Sequence, residues 1–139
     1  MKYLSKQDLF DHAVKHLFTQ TKAGLLKGGG GAYRGQGGGR CPIGSLIASV
    51  DHCTAMEGVP IRYICRTNKI GIPHSMDVGI AALERALRNA RVDIDEPGMP
   101  DFLSKLQNVH DIFGTWEWKD RFGSIAREYN LNVDAINIY

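Results

Sequence analysis

Apolar residues recur at helical spacing through most of this chain, and strand-like alternation is nearly absent. Leu9, Phe10, Ala13, Val14, Leu17 and Phe18 make one stripe. Ile80, Leu83, Leu87 and Ala90 make a second, and Phe102, Leu103, Leu106, Val109, His110 and Phe113 a third. Trp116, Phe122, Ile125, Ala126 and Tyr129 make a fourth. A helix carrying one such stripe must bury it against other elements. The sequence therefore predicts a mainly α protein, a compact bundle of about five helices forming one domain over residues 1–139. It shows no internal repeat and no linker long enough to divide it.

Punctuation sets the boundaries. Ser5 and Asp8 have capping-box spacing, with Asp in place of the usual Glu, and predict a helix from about Lys6 to about Leu26. Four consecutive glycines from Gly28 stop it, because each costs about 1 kcal/mol in a helix relative to alanine. Residues 28–40 read as a glycine-rich loop. Pro42 suits the first turn of a second helix, with Ile43, Leu46, Ile47 and Val50 on one face and Cys41 at or beside its N-cap. Residues 56–60 read as a turn. Residues 61–65 fit a short strand of a single strand pair or a helical turn equally well. Ser75 opens the next helix, Gly114 ends the one after it, and Thr115 caps the last. The segment 130–139 stays ambiguous.

The 139 residues, 43% hydrophobic and 23% charged, have the balance of an ordinary globular protein of single-domain size. The formal net charge is +2, from 17 basic and 15 acidic side chains, far from the basic footprint of a dedicated DNA binder. No apolar run approaches the roughly 20 residues of a membrane span. The first ten residues carry charge where a signal peptide has its apolar stretch. These features predict a cytoplasmic protein with no membrane partner. The cysteines, Cys41, Cys53 and Cys65, are odd in number, which in that compartment predicts free thiols.

The segment from Gly39 to Ser45 has the glycine spacing of a P-loop but lacks its lysine and a preceding strand. An anion site weaker than a P-loop remains consistent with glycine-rich backbone ahead of a helix start, with Arg34 and Arg40 adding charge. Tyr33, Arg34 and Arg40 also resemble arginine–glycine segments that stack on unpaired bases, although two arginines are few for that role. Nucleic acid is thus a weakly supported partner. The three cysteines lack the close pairing of zinc ligands. His12 and His16 share one helical face, away from the apolar stripe, without a third ligand, and read as solvated. His52 beside Cys53 is similarly isolated. No metal and no cofactor is expected.

Cys41 is the thiol of interest. At a helix start beside a glycine-rich loop its thiolate would be favoured and a substrate would have room. Its base would be His110, on the apolar side of its helix. Asp111 follows His110, but successive helical residues do not face each other, so the spacing speaks against Asp111 as orienter. Asp51 and Gln107 are the alternatives. The competing reading makes Cys41 a small helix-start residue and His110 a hydrogen-bonded core histidine. Trp116 and Trp118 read as core and rim residues, one of them, with Tyr33, exposed enough to anchor a partner.

The segments Gly31–Gly35, Gly39–Ile47 and Met56–Gly58 resemble those of a family of small uncharacterised bacterial and phage proteins. Its pattern is C-A-Y-R-G, then G-x-K-C-A-x-G-C-L-I, then an M-E-G-like turn. Later parts, Leu106–Asp111, Trp116-Glu117 and Ile125–Glu128, are similar to its L-Q-x-I-H-D, W-E and I-A-x-E segments. The likeness spans nearly the whole chain and implies a bacterial or phage origin without implying an activity. Gly31 and Ser45 stand where the pattern has cysteine, which weakens a cysteine metal cluster further and leaves Cys41 in place.

The leading expectation is a non-enzymatic protein that binds a macromolecular partner, most readily a protein and, if phage-encoded, host machinery. The expected surface is the glycine-rich loop with Tyr33, Arg34 and Arg40. The alternatives are a cysteine-dependent hydrolase or deamidase using Cys41 with His110, and weak anion or nucleic-acid binding by the loop.

Overall fold

The computed structural model describes residues 2–19, 33 and 41–139. The protein is mainly α, with five α-helices and no strand among the described residues: α1 (Lys6–Thr19), α2 (Asp77–Asn89), α3 (Met99–Ile112), α4 (Trp118–Tyr129) and α5 (Asp134–Asn137). Short 3₁₀ turns lie between α1 and α2 and between α3 and α4. The strand alternative at residues 61–65 gives way to one such turn, Ile61–Tyr63, closed by the Ile64 N–H on the Ile61 carbonyl. The expected extension of α1 beyond Thr19 lies outside the described residues, as does the glycine-rich loop apart from Tyr33.

The chain forms two compact units. One comprises Met1–Tyr3 with Leu46–Ser104, the other Leu4–Ser45 with Lys105–Tyr139, and α3 contributes its first part to one and its second to the other.

In the first unit α2 buries Ile80, Leu83 and Leu87 of the stripe its sequence sets out, together with Ala86, while Ala90 lies just past the helix end and is half-buried. It lies directly on the turn Thr54–Met56. A Cβ at Gly79 would come within 2.1 Å of the Ala55 carbonyl oxygen, so only glycine permits this approach. The helix ends in a Schellman motif. The Val92 N–H bonds the Leu87 carbonyl and the Arg91 N–H bonds that of Arg88, both at 3.0 Å, while Arg91 takes the left-handed conformation at φ 66°. Met56, Ile64, Val92, Ile94, Phe102 and Leu103 complete the core of this unit.

In the second unit Ser5 and Asp8 make the reciprocal bonds of a capping box, each backbone N–H donating to the other's side chain at 3.0 Å. Leu9, Phe10, Ala13, Val14 and Leu17 of α1 are buried. Phe10 meets Phe122 edge-on at a centroid distance of 5.8 Å, and Phe18 meets Trp118 in the same way at 5.8 Å. Phe18 also stacks on Tyr139. Gln7 clasps the backbone of Asn132, accepting its N–H at 2.9 Å and donating to its carbonyl at 3.2 Å. That clasp fixes the entry to α5, whose Ile136 is buried.

Candidate functional site

Cys41 and His110 both belong to the second unit. The helix expected from Pro42 does not form. Residues 41–45 make one turn, with the Ser45 N–H on the Cys41 carbonyl at 2.9 Å, which runs into a single 3₁₀ turn at Gly44–Leu46. The apolar spacing that suggested a helix buries only part of its set: Ile43 and Ile47 are enclosed, but Val50 is 90% exposed. Side chains on both flanks take the polar groups of this turn. The Ile43 N–H donates to Gln107 Oε1 at 3.2 Å. The Ser45 hydroxyl donates to the Pro42 carbonyl at 2.6 Å, and Ser45 Oγ lies 2.8 Å from His12 Nε2. With its one proton committed to Pro42, Ser45 accepts from His12, whose Nε2 therefore carries hydrogen. Burial, with His16 and Lys15 nearby, pushes the His12 pKa down from its ordinary value.

Cys41 is fully enclosed, and its Sγ accepts the Gly44 N–H at 3.3 Å. It therefore sits before a short turn and not at the N-terminus of an α-helix, and the helix-dipole argument for its thiolate does not apply. None of the three cysteines is in a disulfide.

His110 is buried, and its Nδ1 lies 2.8 Å from Asp111 Oδ1. Successive helical residues point apart at Cβ, but these two side chains turn back far enough for the imidazole to reach the carboxylate. Gln107 Nε2 donates to the same carboxylate, at 3.1 and 3.2 Å. One hydrogen-bonded chain thus runs from the Ile43 N–H through Gln107 and Asp111 to His110. Asp111 holds the Nδ1 proton, which leaves Nε2 as the basic nitrogen, and Nε2 is buried without a hydrogen-bond partner. The Cys41 thiol is accordingly not bonded to it in this conformation. Asp51 takes no part: it bonds Asn89 in the first unit at 3.0 Å.

Tyr33, expected at a partner-binding surface, is buried instead. Its carbonyl oxygen lies where a Cβ at Gly44 would come within 1.9 Å. Arg34 and Arg40 lie outside the described residues. The two tryptophans separate cleanly. Trp118 is buried and donates to the Phe113 carbonyl at 3.3 Å, whereas Trp116 is 83% exposed. Ile112, on the other side of the Phe113-Gly114 turn, is 66% exposed. Arg121 caps the Phe113 ring at 3.9 Å and reaches Glu117 at 3.4 Å.

His52, read as isolated, pairs with Glu57 at 2.8 Å, a partner five positions on that no spacing rule singles out. His12 keeps an exposed side, as expected. No group of three or more His, Cys, Asp or Glu side chains among the described residues is placed to hold a metal. No helix among the described residues is long and apolar enough to cross a membrane. Comparison with family models, with curated proteins and with solved structures finds no match to this chain.

Proposed function

We propose that this protein acts by binding another protein, with Trp116 as the anchor of the contact. The observation that carries this reading is the 83% exposure of Trp116 in a chain whose other tryptophan is buried. Its indole N–H meets no hydrogen-bond partner among the described residues, so it offers both an apolar face and a donor. Tryptophan beside an exposed aliphatic residue and a charged margin has the chemistry of a binding hot spot. The exposed Ile112 precedes Trp116 by four positions in the chain, and Glu117, which follows it, pairs with Arg121. The reading keeps the class of function expected from the sequence and moves its surface away from Tyr33. A cytoplasmic setting, bacterial or phage, accords with it.

The test compares wild type with Trp116→Ala and Val50→Ala, the last a control on an equally exposed side chain of the other unit. Proteins retained by immobilised wild type are purified and their affinity measured. A one-to-one complex that Trp116→Ala weakens by about tenfold or more, and Val50→Ala leaves intact, supports the reading. Equal affinities for all three forms overturn it.

A further inference from the structure

A cleft of about 410 Å³ opens in the first unit, lined by the segments 62–66 and 94–101. Small-molecule sites run from roughly 300 to 1,000 Å³, and this volume falls among them. The two segments touch where the Cys65 sulfur meets Asp95 Oδ1 at 3.7 Å. Around that contact the lining divides by charge. Arg62 and Arg66 come from the first segment, and Asp95, Glu96 and Asp101 from the second. All five are exposed, yet no ion pair joins the two sets. Asp95 is taken by Arg88 at 3.2 Å, from outside the cleft lining. Arg62 lies over the ring of its neighbour Tyr63 at 5.1 Å, and neither it nor Arg66 reaches a carboxylate among the described residues. The cleft therefore holds opposite charges apart. Its apolar lining comes from Ile64 and Ile94, both buried, and from Pro97 and Pro100. Cys65 takes the left-handed conformation at φ 56°, held there by Glu84, which accepts its N–H at 2.8 Å.

We propose that this cleft binds a small zwitterion of amino-acid or dipeptide size, its carboxylate on Arg62 and Arg66 and its ammonium on the carboxylates of the second segment. The inference is independent of the Trp116 surface, which belongs to the other unit. The ligand class follows from the two signs. A bare anion drawn to the arginines is repelled by the acidic segment, and a bare cation meets the reverse. A zwitterion satisfies both ends at once. Guanidinium groups fork a carboxylate through paired N–H donors, and unpaired ones are ready to do so. A carboxylate has about four acceptor positions, so Asp95 can keep Arg88 and still accept from an ammonium. The isoleucines and prolines favour an aliphatic side chain on the ligand. Cys65 adds no charge at neutral pH, because burial, Glu84 and Asp95 hold its thiol protonated.

The experiment titrates the full chain by calorimetry with leucine and with leucyl-leucine. Three further probes separate the charges: N-acetylleucine, which lacks the ammonium, leucinamide, which lacks the carboxylate, and inorganic phosphate. The expected result is saturable binding of leucine or the dipeptide, with each half-charged probe weaker by about tenfold or more. Arg66→Gln should weaken leucine by about tenfold and leave leucinamide unchanged. Asp101→Asn should weaken leucine and leave N-acetylleucine unchanged. Both substitutions fall on exposed side chains, and circular dichroism checks that the variants fold. If either does not, the half-charged probes on wild type decide. N-acetylleucine or phosphate binding as tightly as leucine makes the cleft a simple anion site and overturns the proposal. Leucinamide binding as tightly makes it a cation site, with the same consequence. So does the absence of saturable binding by leucine and leucyl-leucine at millimolar concentration.

Discussion

Gly44 shows how one missing side chain can fix a local structure. Its neighbour Ile43 gives its N–H to Gln107, and its own N–H goes to the Cys41 sulfur. A Cβ there would meet the Tyr33 carbonyl at 1.9 Å, a contact with backbone that no rotamer change relieves. Gly44→Ala should destabilise the protein by about 1–3 kcal/mol, as overpacking does, with the loss read as a lowered urea midpoint at unchanged slope. At Cys65 the chemistry is electrostatic. Its N–H bonds Glu84 at 2.8 Å and its sulfur faces Asp95 at 3.7 Å. Burial, then Glu84, then Asp95 push its thiol above the ordinary 9.0. Cys65 should therefore resist alkylation until the pH passes 9.0, and Glu84→Gln should bring its labelling midpoint down. A midpoint indifferent to residue 84 would contradict that assignment. Neither property is legible in the sequence, because each depends on groups brought together from distant positions. The His110–Asp111 contact is not legible there for a different reason: it follows from how two side chains rotate after leaving Cα in different directions.

At the scale of elements, what could be read was whatever the local chain decides by itself. The capping box at Ser5 and Asp8 formed as its spacing implied, and Ser5→Ala should cost about 1 kcal/mol in thermal unfolding. Most of the stripes of α2, α3 and α4 became buried faces, because each spans three or more turns of consistent period, whereas Trp116, ahead of α4, stayed exposed. The segment after Pro42 had the same spacing over a shorter run, and there one tertiary and one local side-chain hydrogen bond hold a turn instead. Gln107 and the Pro42 carbonyl took groups that a helix would have used internally or left to solvent. Helix ends were only partly legible. Asn130 in left-handed conformation after α4, with the Leu131 N–H on the Ala126 carbonyl at 2.8 Å, uses a residue known to tolerate it. Arg91 after α2 does the same at φ 66° without that tolerance, so its sequence carried no stop signal. Arg91→Gly should relieve this strain and raise stability by about 0.5–1 kcal/mol, seen as a higher Tm. An unchanged or lower Tm would show that the exposed arginine contributes more than its backbone costs.

For the whole molecule, the formal charge of +2 hides a pH response that originates in α1. His12 faces His16 and Lys15 on its own helix and Ser45 across the unit, and burial and the two cationic neighbours all disfavour its charged form. Its folded-state pKa thus lies below the 6.5 of the unfolded chain, and in the interval between them the unfolded chain binds more protons. The stabilisation is fully present above 6.5, and it is lost as the pH falls from there through the folded-state pKa. A hydrogen bond with the Ser45 backbone works against this shift, because it favours the charged ring, but it is the smallest of the four influences. The urea midpoint should therefore decline as acid is added below pH 6.5, and His12→Gln should flatten that decline. His16→Gln should flatten it less, by removing one cationic neighbour and leaving the burial in place. If both variants follow the wild-type curve, the acid sensitivity originates elsewhere, and the contact between α1 and the Cys41 turn is neutral to protonation.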